Sequence, residues 1–164
     1  MTCWMSNPER YRREYFEHSE KLDNKYLRFG KGMAKMIEEG KHKELLPDLI
    51  VYDTPEFEIR TVVSGVPILS YLDSYDSVSG NFREYKTGKH PWDQSKVQKH
   101  DQLLFYATAL KFGLQKTPEY CDLDWIETKE GIMETDDFWR TNEGIINTTG
   151  RIVSFHREFD EREI

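Results

Sequence analysis

The sequence predicts an α/β domain, with a central mixed β-sheet flanked by helices, in the order helices, three strands, helix, strands. Three observations carry that expectation. Between residues 57 and 87 come three short runs rich in β-branched, aromatic and apolar residues, separated by turn residues. On either side, apolar residues recur at three- and four-residue spacing with capping residues at the ends, which is the pattern of amphipathic helices. Two further strand-like runs, "YCDLDWIET" and "GRIVSFHREF", follow with a polar stretch between them that reads as a loop.

Each element has a local cause. Ser6 stands three residues before Glu9 with Pro8 in the first turn, a capping box that should start a helix over "SNPERYRREYFEH". Tyr11 and Tyr15 share one face of it, and Arg10, Arg12 and Arg13 form a solvated side that could hold phosphates. A second helix is expected over "GKGMAKMIEEG", with Met33, Met36 and Ile37 inward and Gly40 as its stop. "FEIRTVV" places Phe57, Ile59, Thr61 and Val63 on one side of a strand, and "VPILSYLD" reads as a mostly buried strand ending in Asp73. "NFREYKT" is a third strand after a turn at Ser79, Gly80 and Asn81, which makes a meander. Asp93 or Ser95 should cap one long helix reaching Phe112, closed by Gly113 and Pro118.

A chain of 164 residues suffices for one hydrophobic core, so residues 1–164 are expected to form a single domain. The formal net charge of −7 argues against indiscriminate nucleic-acid binding, but it is unevenly spread. Residues 1–116 hold 18 Lys and Arg against 17 Asp and Glu, whereas residues 117–164 hold 5 against 13, so the acid sits in the tail. Cys3 and Cys121, the two cysteines, are too few for a disulfide framework, a four-cysteine zinc site or an iron–sulfur cluster. No run of 18 apolar residues and no charged-then-apolar leader is present, so a cytoplasmic protein without a membrane partner is expected.

The chemistry gathers in "FREYKTGKHPWDQSKVQKHDQLLFYATAL", residues 82–110. Alternation on a strand puts Glu84 and Lys86 on one face, and the preceding turn can bring Asp73 beside Glu84. Two carboxylates that close repel, and a hard divalent cation between them relieves the repulsion. A lysine one step along can steady an attacking hydroxide or a phosphate oxygen. The pattern E-x-K alone carries nothing, because Glu39 with Lys41 and Glu127 with Lys129 repeat it. On the residues alone the trio reads equally well as a cross-strand salt bridge. What distinguishes Lys86 is the helix that follows, carrying Gln102 and Tyr106 one turn apart on one face. His90, His100 and His156 lack ligand spacing, although His100 leads into Gln102 and could approach DNA; Trp4, Trp92 and Trp125 read as core or rim.

Taken together, "GVPILSYLD", "FREYKTGK" and "HDQLLFYATAL" resemble the RecB-like branch of the PD-(D/E)XK nuclease superfamily, which includes CRISPR-associated and phage recombination exonucleases. The resemblance spans residues 27–112 and implies a restriction-endonuclease-like core and Mg²⁺- or Mn²⁺-dependent hydrolysis of DNA. It also implies work in recombination, repair or phage DNA processing, in the cytoplasm of a bacterial or phage-infected cell, with a helicase, recombination protein or other protein as a partner. It assigns Asp73, Glu84 and the Tyr85 backbone carbonyl to the metal, Lys86 to catalysis, and Gln102 and Tyr106 to the family's Q-x-x-x-Y motif. Two departures stand out. Ala34 occupies the place of a histidine ligand in "FGKGMAK", where Glu38, one turn on, is the available substitute, and the iron–sulfur cysteines of some relatives are absent. Ala34 also motivates the alternative of a catalytically inactive nuclease-fold module that binds nucleic acid. "HREFDEREI" stops where relatives continue into another helix, so a shortened chain or one that leans on a partner is expected.

Overall fold

In the computed structural model the described residues are 9, 12, 13, 25–129 and 141–164. Glu9, Arg12 and Arg13 have helical backbone and are exposed; the rest of the expected first helix, with Ser6 and Pro8 of its start, Arg10, Tyr11 and Tyr15, lies outside the described residues, as does Trp4.

Helix α1 (Lys25–Glu38) leads into a short α2 (His42–Leu45), then strands β1 (Thr54–Val63), β2 (Val66–Tyr75) and β3 (Phe82–Gly88). Helices α3 (Gln94–Gln98) and α4 (Asp101–Leu114) carry the chain over to β4 (Tyr120–Thr128), and α5 (Asn142–Thr148) precedes β5 (Thr149–Glu158). The five strands form one sheet in sequence order, antiparallel except that β3 and β4 run parallel. The fold is therefore α/β with a mixed sheet flanked by helices.

Each face of the sheet has its own core. On one, Ile59, Leu72, Tyr75, Phe82, Leu123 and Trp125 pack with Leu103, Ala107 and Leu110 of α4. On the other, Phe29, Met33, Met36 and Ile37 of α1 pack with Leu46, Leu49, Ile126 and Ile145. Met33, Met36 and Ile37 thus point inward as expected, and Gly40 leaves the helix at φ +72°, a conformation that costs glycine nothing.

Four expectations change. β2 runs past Asp73 to Tyr75 and is buried only in its second half, since Val66 and Leu69 lie on the exposed end of the β1–β2 hairpin. The single long helix is two. Asp93 does cap α3, accepting from Lys96 N at 2.8 Å, but at His100 the backbone turns extended. There the His100 carbonyl accepts from Arg157 Nη1 at 3.0 Å and its ring lies 4.9 Å from Trp92, tertiary contacts that outweigh the local periodicity. Gly113 lies inside α4, where an added Cβ would stand 3.0 Å from Ile59 and 3.2 Å from Thr61; the helix ends instead at Gln115, in left-handed backbone. Finally, the stretch between β4 and β5 contains α5, capped by Thr141 Oγ1 accepting from Gly144 N at 2.9 Å and anchored by buried Ile145.

Candidate active site

Ser64 and Gly65 join β1 to β2 in a two-residue turn with φ +51° and +79°, the mirror-image turn whose twist suits a hairpin. From Val63–Val66 outward the register is regular as far as Phe57–Leu72, and it resumes at Pro55–Ser74. The residues between, Glu56 and Asp73, face each other without pairing, and Glu56 takes a left-handed backbone at φ +50°. Here the strands switch faces. Leu72 and Tyr75 both pack under α4, although strict alternation would separate them, and Phe57 stacks on Tyr75 at 4.3 Å. Irregularities of this kind re-aim a side chain out of the pleat, and here the side chain is Asp73.

The same row opens the sheet on the other side. β2 and β3 pair at Tyr75–Phe82 and Ser74–Arg83, and then part. Asp73 Oδ2 stands in for the missing ladder by accepting the Tyr85 N–H at 2.7 Å. A strand residue turns its N–H and C=O to the same edge, so the Tyr85 carbonyl also faces the gap. Glu84 stands opposite Asp73 on this register, and each carboxyl group influences the ionisation of the other. Glu56, Asp73 and Glu84 thus form one row across three strands.

Glu84 is 2% exposed, and its Oε2 meets no hydrogen-bond donor among the described residues. Burial, and then the negative charge of Asp73, push its carboxyl up to about 8, with Lys86 pulling the other way. Burial also raises Asp73, against the pull of the Tyr85 N–H and of Lys86. The other two E-x-K glutamates are surface groups: Glu39 pairs with Lys41 at 2.6 Å and Glu127 with Arg151 at 3.3 Å.

Lys86 Nζ bonds Glu84 Oε1 and donates to Gln102 Oε1 at 2.9 Å, and Gln102 Nε2 donates to Tyr106 Oη at 2.6 Å. Gln102 lies in the first turn of α4, so the helix break at His100 is what brings Gln102 and Tyr106 over the strand. Burial raises the Tyr106 phenol, keeping it protonated. Tyr85 anchors β3 from the other face, its hydroxyl donating to Ile50 O at 2.8 Å. The structure therefore joins Asp73, Glu84, Lys86, Gln102 and Tyr106 in one connected set.

Glu38 is exposed and is not among the residues that line the cavity wall beside Asp73, to which α1 contributes Ala34 together with Tyr26, Leu27, Lys31, Met33 and Ile37. The carboxylate that does share that wall is Glu56, whose carboxyl is raised by desolvation, by Asp73 and by Glu38. Among the described residues no three His, Cys, Asp or Glu side chains gather as a ready-made metal centre. Mg²⁺ is commonly held by one or two carboxylates with its remaining positions filled by water, so Asp73, Glu84 and the Tyr85 carbonyl are a donor set of suitable kind. The unpartnered Glu84 oxygen fits that use.

Beside the site, His100 and Lys96 flank Trp92, the ammonium 4.1 Å from the ring centroid. Burial lowers the His100 imidazole, aided by Lys86, which favours its uncharged form. His156 binds Asp122 at 2.8 Å on the α1 side of the sheet, away from the carboxylate row.

No protein-family model and no curated protein matches the sequence. Among solved structures the chain is similar to a phage-related exonuclease from Haemophilus somnus 129PT, with a TM-score of 0.56 and 15% identity over 99% of this chain and 74% of that one. At that identity the likeness is one of fold. Among the described residues no helix is long and apolar enough to cross a membrane.

Proposed function

We propose that this protein is a Mg²⁺- or Mn²⁺-dependent nuclease of the PD-(D/E)XK type that hydrolyses DNA phosphodiesters, working from strand ends in recombination, repair or phage DNA processing. The observation that carries the reading is the Asp73–Glu84 pair at the parting of β2 and β3, Asp73 half-buried and Glu84 buried with one oxygen facing no donor. Burying two like charges is costly unless something positive joins them.

Asp73, Glu84 and the Tyr85 carbonyl would hold the cation, which when bound supplies Lewis acidity at the phosphate and a water of lowered pKa. Lys86, held by Glu84 on one side and Gln102 on the other, would aim its ammonium at the attacking oxygen. Gln102 would fix the lysine, and Tyr106 would fix Gln102. A helicase or recombination protein in the cytoplasm of a bacterial or phage-infected cell is the partner this role implies.

The test is digestion of linear and circular DNA, single and double stranded, with Mg²⁺, Mn²⁺ or EDTA. Cutting of linear DNA that requires the metal and is abolished in Asp73→Asn is expected; a protein that cuts nothing in the panel sinks the reading. Ala34, which leaves α1 without a ligand beside Asp73, favours a second reading, an inactive nuclease-fold module. That reading predicts DNA binding indifferent to Asp73→Asn.

A further inference from the structure

On the α1 side of Asp73 opens a cavity of about 490 Å³, within the roughly 300–1,000 Å³ range of sites for small ligands. Leu27, Met33 and Ala34 form its apolar wall, Lys31 and Thr87 add polar groups, and Asp73 and Glu56 belong to the same lining. Tyr26, at 37% exposed, offers its ring on the same lining. The cavity owes depth to Ala34, which presents a single methyl where any longer side chain would intrude.

We propose that this cavity takes the neutral nucleoside at the end of a DNA strand when the neighbouring phosphate lies at Asp73 and Glu84. The inference rests on the nuclease reading and adds where the terminal base goes. Two carboxylates against the single ammonium of Lys31 leave the lining acidic on balance, which disfavours a phosphate in the cavity itself, so the charged link stays on the cation side and the uncharged base and sugar enter. A base has a flat apolar face that stacks on an aromatic ring regardless of sequence, which suits Tyr26 and the apolar wall, while Lys31 and Thr87 can meet its polar edge. A base inside a duplex must first be unstacked and unpaired, whereas a strand end surrenders its base most cheaply. The cavity thus selects ends over interiors.

The test uses single strands carrying 2-aminopurine at the 5′ end, at the 3′ end or internally, bound in Ca²⁺ before any Mn²⁺ is added. Fluorescence of one end-labelled strand should change on binding while the internal label stays constant. Replacing that terminal base by an abasic sugar should weaken binding on the order of tenfold. Ala34→Phe, which fills the cavity without touching the carboxylates, should abolish both effects while Mn²⁺ affinity and melting temperature hold. Should that variant fail to fold, Tyr26→Ala at the exposed position should reduce the same discrimination. Equal binding of base-ended and abasic-ended strands by the parent, or full discrimination in the folded Ala34→Phe variant, overturns the proposal. The nuclease reading fails separately: a parent that discriminates ends yet cuts nothing in Mn²⁺ supports the cavity's role and removes the hydrolysis.

Discussion

Glu56 and Asp73 face each other across the β1–β2 ladder at the position where pairing lapses, Glu56 in left-handed backbone and Asp73 turned to accept the Tyr85 N–H. Like charges directly opposed on a sheet destabilise it, so the pair is costly in the metal-free chain. Glu56→Gln should therefore leave the fold intact, raise metal-free stability slightly and weaken Mn²⁺ binding by about tenfold, the scale of one charge several ångströms from the cation. Isothermal calorimetry checks it; unchanged affinity would show that Glu56 does not sense the cation.

Asp73→Asn should be more severe. It removes a donor from the cation and replaces an acceptor of the Tyr85 N–H, an amide oxygen being able to take over that bond. Mn²⁺ binding should be lost, while circular dichroism and melting show a folded protein. Retained Mn²⁺ affinity would count decisively against the carboxylate pair as the metal site.

Lys86→Ala separates chemistry from binding. With both carboxylates present, Mn²⁺ should still bind, while cleavage slows by roughly 10²-fold or more, the scale of one preorganised charge. Lys41→Ala and Lys129→Ala, at the two exposed E-x-K pairs, should cut at the parent rate. If Lys86 were only a phosphate contact, its loss would lower affinity and flatten the salt dependence by about one unit of slope instead.

The metal-free protein should lose stability on the alkaline side. Glu84 has an ordinary carboxyl value of 4.5 in the unfolded chain and about 8 in the folded one, so between those limits the folded protein keeps a proton that the unfolded chain has released. This contribution is complete below pH 4.5 and disappears as pH rises through about 8. Denaturant unfolding at pH 5, 7 and 9 should show the decline, Glu84→Gln should flatten it, and Mn²⁺ should oppose it by binding only the folded state.

Gly113→Ala tests the packing of α4 on β1. The added methyl would meet Ile59 at 3.0 Å and Thr61 at 3.2 Å, and both belong to a strand that cannot retreat without disturbing the hairpin. A loss of about 1–3 kcal/mol is expected from chemical unfolding, the usual cost of overpacking.

Much of this was legible in the sequence because the information was local. Alternation alone put Glu84 and Lys86 on one face, and helical spacing alone put Gln102 and Tyr106 together. Glu56 escapes that reading, because the apolar alternation begins only at Phe57 and Pro55 stands just before Glu56. Yet the two-residue turn at Ser64 and Gly65 fixes the hairpin register, and counting outward from it sets Glu56 against Asp73. The break between α3 and α4 had no local signal. Apolar spacing runs on through Val97, Leu103 and Ala107, and the interruption is made by Arg157 and Trp92 from elsewhere in the fold. In α5, Gly144 and the β-branched Ile145, Ile146 and Thr148 weaken helix propensity, and buried Ile145 restores the helix by packing below α1.

The seam between β2 and β3 also supplies a spectroscopic witness. Because the Tyr85 amide proton rests on an Asp73 oxygen rather than on a peptide carbonyl, its nuclear magnetic resonance frequency depends on the charge that this carboxylate carries. Titrating proton, Mg²⁺ or a substrate phosphate would each move that one resonance in its own way. A single labelled amide can thus follow the ionisation of the site in the intact protein, with no substitution in the carboxylate row.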